Sequence, residues 1–482
     1  MNLYFHIERI ERLFHNMFLL NDTHRKMRQE ILALTFPVFT EQACITLMDV
    51  INAMMASHIG KEATAAIGIV DTLNIIFIAL FSALAVGGTV VVAQYIGQNN
   101  PKFANESVKQ ALYSGFFLAV VITILLDIFR YPLINLLYGV ADPQVRIYAI
   151  SYLRITLLTY PLIALTSISC GVLRGAGDTK APAKIVILMN IINIFFSYIL
   201  IFGIHLKLSS FGIHFTGMGV VGAALGIGIA RVSGAIISIY VLAKGSWGLK
   251  LRRVFHYKPN FELLDCIFKI GIPASLESLF FNAGKLITQT FIVSLGTVPI
   301  VIYYISMSLQ GLMCVPGNAI GLASTAIVGQ YMGRGERETA NQYLAYMLKL
   351  GNLCMMGFVV CCFFLFPFIV SLYTPNPEII KSTSFLLRTL IFANLFWSAS
   401  FILPSGLKGA GDVKYTLTVS AGSMWLFRIT FGYILGVYFK LGVLGIWLGM
   451  YMDWIVRSIA FYIRFKSCRW QDHVVVKRFE EI

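Results

Sequence analysis

Two elements of the form Pro-x-x-x-Glu, Pro37 to Glu41 and Pro273 to Glu277, place a carboxylate one helical turn after a proline at an offset of 236 residues in an otherwise apolar chain. Proline removes a backbone donor and disturbs the preceding turn, leaving a carbonyl that can join the carboxylate around a cation. In apolar surroundings the same carboxyl can instead carry a proton. An interhelical hydrogen bond or an interfacial position is the plainer reading of both. The offset then pairs other groups. Asp49, one turn from Asn52, corresponds to Lys285, so opposite charges at related positions can meet across a cleft, as a gate or as a permanent ion pair. Asn74 corresponds to Gln310, and Asn190 and Asn193 add further amides that either line a cleft or join helices. Asp453 and Arg457, four residues apart, read with Arg428 and Arg231 as a structural salt-bridge cluster.

The elements that position these groups must be membrane helices. Hydrophobic residues make up 57% of the chain and charged residues 13%, with a mean hydropathy of +0.76; soluble domains carry about 25% charge. A span needs about 20 apolar residues, and twelve fit: 31–57, 66–97, 108–129, 148–173, 182–204, 218–243, 265–295, 299–332, 343–373, 382–405, 415–437 and 441–463. The net charge of +15 reports topology, because 24 of the 38 Lys and Arg fall in the termini and alternate loops and only 6 in the opposite loops. The positive-inside rule then puts both termini in the cytoplasm and requires an even number of spans. Nucleic acid is not an expected partner. Charge inside the bilayer costs about 3 kcal/mol or more per group, so each intramembrane ion needs a reason.

The chain also repeats itself. Leu173-Arg-Gly-Ala-Gly-Asp-Thr-Lys180 returns as Leu407-Lys-Gly-Ala-Gly-Asp-Val-Lys414, and Gln94-Tyr-Ile-Gly97 as Gln330-Tyr-Met-Gly333. An even number of spans per half makes the halves parallel repeats with a ligand site in the cleft between them. The fold class is therefore an all-α membrane protein: twelve transmembrane helices in two parallel six-helix repeats around a central cleft. Residues 1–30 form an N-terminal segment, 31–243 the N-lobe, 244–264 a basic linker, 265–463 the C-lobe and 464–482 a tail. The GAGD segments read as helix-to-helix turns. Their glycines permit a left-handed exit, Arg174 or Lys408 faces the helix C-terminus, and the Asp can cap the next helix. Glycines four apart, Gly222 with Gly226 and Gly445 with Gly449, mark tight packing seams. The eight Cys lack metal-ligand spacing. No nucleotide loop, metal cluster or enzymatic constellation is found.

The two-lobe layout, the region Pro37 to Gly60, Ala93-Gln-Tyr-Ile-Gly97, the turn at 174–180 and their second-half counterparts resemble the MATE family of multidrug and toxic-compound extrusion transporters, over residues 31–465. The resemblance implies export of organic cations or amphiphiles in exchange for inward Na+ or H+, by rocking of two lobes, with no other cofactor. It also implies departures. Asn52 stands where many members carry a cleft Asp, an Asn-x-x-x-Asp pair survives as Asn193 with Ser197, and the acidic position of sodium-coupled relatives falls near Phe281. Glu41, Glu277 and Asp49 are then the candidate ion-coupling groups. Asn52, Asn74, Asn193, Lys285 and Gln310 are the candidate substrate groups, and Arg428, Asp453 and Arg457 the structural cluster. A monomer in the bacterial inner membrane is expected. The alternative is a flippase-like exporter of a lipid-linked or endogenous anionic metabolite, with Lys285 on the headgroup.

Overall fold

The computed structural model describes residues 22–138, 142–208, 211–245, 247–251 and 257–476. Most of the N-terminal segment, the Arg252-Arg253 part of the linker and the last six residues of the tail lie outside them.

The N-lobe runs through α1 (Asp22–Ser57), α2 (Lys61–Gly97), α3 (Pro101–Tyr138), α4 (Pro143–Leu158), α5 (Tyr160–Ala176), α6 (Lys180–Phe202) and α7 (Val220–Lys244). A hairpin of β1 (Gly203–Leu208) and β2 (Phe211–Thr216), which the apolar pattern does not announce, joins α6 to α7. The C-lobe runs through α8 (Phe261–Ser294), α9 (Thr297–Arg334), α10 (Arg337–Cys362), α11 (Phe366–Ser371), α12 (Pro377–Ala410), α13 (Val413–Ser423), α14 (Thr430–Tyr433) and α15 (Gly442–Lys466). Among the described residues nine helices are long and apolar enough to cross a bilayer, and α4 with α5 makes a tenth span bent by 47°. The other two of the twelve are disguised. The 34-residue α8 is about 50 Å long at 1.5 Å per residue, but Asp265, Lys269, Glu277 and Lys285 dilute its apolar run. The eleventh span is divided by π-helical turns at Met424–Ile429 and Ile434–Tyr438, on either side of α14.

Local chemistry explains the irregularities. Pro161 has no N–H to donate into the turn before it, so the fourth span breaks at Thr159, and α5 starts there in a new direction. At the GAGD turns Gly177 and Gly411 adopt φ of 101° and 104°, the left-handed exit expected of them. Gly175 and Gly409 instead stay helical. Asp178 caps α6 by accepting from the Ala181 N–H at 2.9 Å. Asp412 does not cap; Arg464 draws it into an ion pair at 2.7 Å.

The lobes meet through α1 and α2 against α8 and α9. Where α2 crosses α9 there is no room for side chains: a Cβ on Gly97 would lie 2.1 Å from the Gln330 carbonyl oxygen, and one on Gly333 2.1 Å from that of Gln94. The neighbouring amides complete the crossing reciprocally. Gln94 Nε2 donates to the Gly409 carbonyl at 3.2 Å and Gln330 Nε2 to the Gly175 carbonyl at 2.8 Å. Each half's glutamine therefore holds the other half's GAGD segment, and the lobes are clasped at the end bearing both turns. The anticipated seams are also present within lobes, Gly222 and Gly226 against Leu200 and Ser197, and Gly445 and Gly449 against Leu435 and Gly432.

Candidate functional site

Helical spacing brings the N-lobe polar groups together. Asp49 and Asn52 on α1, Asp71 and Asn74 on α2, Asn190 and Asn193 on α6 and Arg231 on α7 line a cavity of ≈520 Å³ with Met48, Ile67, Ile78 and Met189. Pairs three apart lie on one helix face, so a single stripe from each helix supplies both the polar and the apolar wall. Within it, Ser197 Oγ donates to Asn193 Oδ1 at 2.8 Å, and Asn193 Nδ2 donates to Asn52 Oδ1 at 3.3 Å. Asn74 Nδ2 donates to Asp71 Oδ1 at 3.1 Å while its own Oδ1 accepts from the Tyr160 hydroxyl at 2.8 Å. The Tyr152 hydroxyl donates to the same Asp71 oxygen at 3.4 Å. Asp49 has no hydrogen-bond or ion-pair partner among the described residues and faces open space.

Asp71 was missed from the sequence. Its signal was an acid inside an apolar run, three residues before Asn74. Arg231 does not join the Asp453–Arg457 cluster with which the sequence groups it: it stands on α7 in the N-lobe, with Nη1 donating to Thr159 Oγ1 at 2.8 Å. The bend at Thr159 exposes that hydroxyl toward α7.

A second cavity of ≈510 Å³ adjoins the first, sharing Ile45, Ile78, Met189, Asn190 and Arg231, and reaches Glu41, Arg174 and the C-lobe residues Leu322 and Thr325. Glu41 is 3% exposed. Its Oε1 pairs with Arg174 Nη1 at 2.6 Å, and its buried Oε2 has no hydrogen-bond partner among the described residues. Glu277 makes the equivalent pair with Lys408 Nζ at 2.9 Å, but both its oxygens are engaged, since Thr416 and Ser420 hydroxyls donate at 3.1 and 3.0 Å. The two Pro-x-x-x-Glu elements are thus each tied to the basic residue of their own lobe's GAGD turn. That link was not foreseen.

The C-lobe pocket differs. Its ≈350 Å³ are lined by Lys285, Gln310, Arg428 and the rings of Phe281, Trp397, Phe401 and Trp454. The wide π-helical turn that carries Arg428 turns its guanidinium into this wall, and such turns recur at functional sites. Behind it Arg457 and Asp453 form a buried ion pair at 3.0 Å, as the spacing suggested. Asp49 and Lys285 do not meet: one lines the N-lobe cavity, the other this pocket, with its ammonium 4.8 Å from the Phe281 ring centre. Asn74 and Gln310 are separated in the same way.

The MatE family profile matches residues 37–199 and 273–434. The chain belongs to the MatE family. The two matched stretches of this MatE chain begin at Pro37 and Pro273, the same 236-residue offset that relates the glutamates. The chain is 27% identical to the uncharacterized transporter YisQ of Bacillus subtilis, over 91% of this chain and 94% of that one. It is also 27% identical to the probable multidrug resistance protein NorM of Thermotoga maritima, over 94% and 95%. A multidrug resistance MATE family transporter solved in an outward-facing conformation shares the fold with a TM-score of 0.83 at 22% identity, over 92% of this chain and 97% of that one.

Proposed function

We propose that this MatE transporter exports organic cations and amphiphiles from a bacterial cell through the inner membrane, in exchange for inward Na+ or H+. The observation that carries the reading is the N-lobe cavity. Among the described residues, two carboxylates, Asp49 and Asp71, share the cavity with one cation, Arg231, between amides and apolar walls. A cavity of that size, mostly apolar with a few fixed polar groups, suits a drug-sized ligand, and its surplus of carboxylate suits a positive one. The positive-inside pattern supports a cytoplasmic position for the clasped end and both termini, and on that reading the cavity opens outward in this state. One chain supplies both lobes and the cleft, and a monomer suffices.

Coupling follows the chain path. Glu41 holds Arg174, and the next residue, Gly175, offers the carbonyl that Gln330 of the other lobe grips. A proton or Na+ taken up at the unpartnered Oε2 weakens the hold on Arg174 and loosens the clasp. In the C-lobe the equivalent path runs from Glu277 through Lys408 and Gly409 to Gln94. Glu277 has no oxygen to spare, so it holds the clasp while Glu41 senses the ion.

Ethidium export from proteoliposomes under an imposed Na+ or H+ gradient tests this. The expected result is stimulation by one of the two gradients, lost in Glu41→Gln. Full gradient-driven export by Glu41→Gln would reject the coupling assignment.

A further inference from the structure

The C-lobe pocket carries a charge imbalance for which export of cations has no use. Lys285, Arg428 and Arg457 surround the Phe281 ring at 4.8, 5.9 and 5.3 Å from its centre. One carboxylate stands among these three cations. It is Asp453, 0% exposed, and both its oxygens accept from Arg457 Nη2, at 3.0 and 3.2 Å. Lys285 and Arg428 are left without a carboxylate within 4.0 Å among the described residues. Arg428, which lines the pocket, is 3% exposed; its guanidinium donates to the Tyr303 hydroxyl, and its Nε has no hydrogen-bond partner among the described residues. A buried donor left unmade is costly, and a buried charge without a counter-charge more so. Lys285, by contrast, is exposed and lines the same pocket. An anion entering beside Lys285 meets both groups at once.

The walls specify the rest of the ligand. Trp397 and Phe401 stack at 4.5 Å with their planes 18° apart, and Phe281 meets Phe401 edge-on at 6.2 Å. These flat faces and a volume of ≈350 Å³, near the small end of ligand sites, fit one compact ring system better than a two-chain lipid. We infer that the C-lobe pocket is a second binding site, selective for a small aromatic carboxylate whose head lies between Lys285 and Arg428 and whose ring lies against Trp397 and Phe401. The site is separate from the N-lobe cavity and stands whether or not the N-lobe exports cations.

The test uses the full chain in nanodiscs of zwitterionic phosphatidylcholine, titrated with 2-naphthoate and with the neutral 2-naphthamide, and read by quenching of tryptophan fluorescence. Charge-assisted hydrogen bonds make naphthoate the tighter ligand by roughly tenfold or more. Lys285→Gln, at an exposed position of the pocket wall, removes that preference. Arg428→Lys, which keeps the charge but loses the fork, weakens it less. Equal affinity for the two compounds would overturn the proposal, as would a naphthoate preference that survives Lys285→Gln. If phosphatidylglycerol in the disc displaces naphthoate, the occupant is a lipid headgroup and the small-molecule assignment fails.

Discussion

The two lobes descend from one repeat and share their clasp, yet their cavities carry opposite charge. The N-lobe presents Asp49 and Asp71 among amides; the C-lobe presents Lys285 and Arg428 among aromatic rings. At the pseudo-twofold axis the halves are almost interchangeable, with Gly97 facing Gln330 and Gly333 facing Gln94. Symmetry is kept where each half must fit the other, and it lapses in the lobe interiors, where a side chain does not face its own counterpart. The proposed division of labour is therefore built on a common closing device.

The strongest way to break this comparison is at the axis, where the lobes should respond alike. Gly97→Leu and Gly333→Leu each drive a side chain into the opposing backbone. Overpacking of this kind costs about 1–3 kcal/mol, enough to lower the clasped population by roughly 5–150-fold. Ethidium export is expected to collapse in both. A large loss in only one would show that the crossing is not reciprocal.

The glutamates should differ next. Glu41→Gln leaves Arg174 without its counter-charge in a buried setting, a loss of roughly 3 kcal/mol. Lys408 is more exposed, and Thr416 and Ser420 can still donate to the amide oxygen of a glutamine at 277. Thermal unfolding in detergent should therefore show the larger drop for Glu41→Gln. Equal drops would remove the distinction between a sensing and a holding carboxylate.

A smaller asymmetry sits in the clasp. Gln94 Oε1 also accepts from the Val475 and Val476 N–H groups, at 3.1 and 3.3 Å, whereas Gln330 has no such strap among the described residues. Each lost hydrogen bond is worth about 1 kcal/mol. Gln94→Ala should speed amide hydrogen exchange across 473–476, and Gln330→Ala should leave it unchanged. Smallest of all, Ser197→Ala removes one link from the Ser197–Asn193–Asn52 chain. Ethidium affinity is expected to fall by about fivefold for a bond of that strength.

Much of this was readable in the chain because a repeat is a ruler. Offsets and apolar runs yielded twelve spans, the seams at Gly222 and Gly445 and the left-handed exits at Gly177 and Gly411. The same ruler misled where equivalence was taken for contact. Residues related by a twofold axis touch only near that axis, so Gln94 and Gln330 serve one clasp while Asp49 and Lys285 remain in separate cavities. Three features arise from tertiary context that a sequence pattern does not encode: the direction of the bend at Thr159, the widened turn that presents Arg428, and the partnership of Glu41 with Arg174 across 133 residues. Arg231 was misassigned because its partners depend on that bend. Asp71 was overlooked because its repeat-mate at 307 is a methionine, so the comparison of halves gave it no emphasis.

The division between the lobes is tested most directly by measuring ethidium and 2-naphthoate affinities on one protein, the double variant Asp49→Asn/Asp71→Asn in phosphatidylcholine nanodiscs. Removing both N-lobe carboxylates should weaken ethidium by roughly tenfold or more and leave naphthoate binding intact. Unchanged ethidium affinity, or an equal loss of both ligands, would contradict the assignment of cation and anion to different lobes.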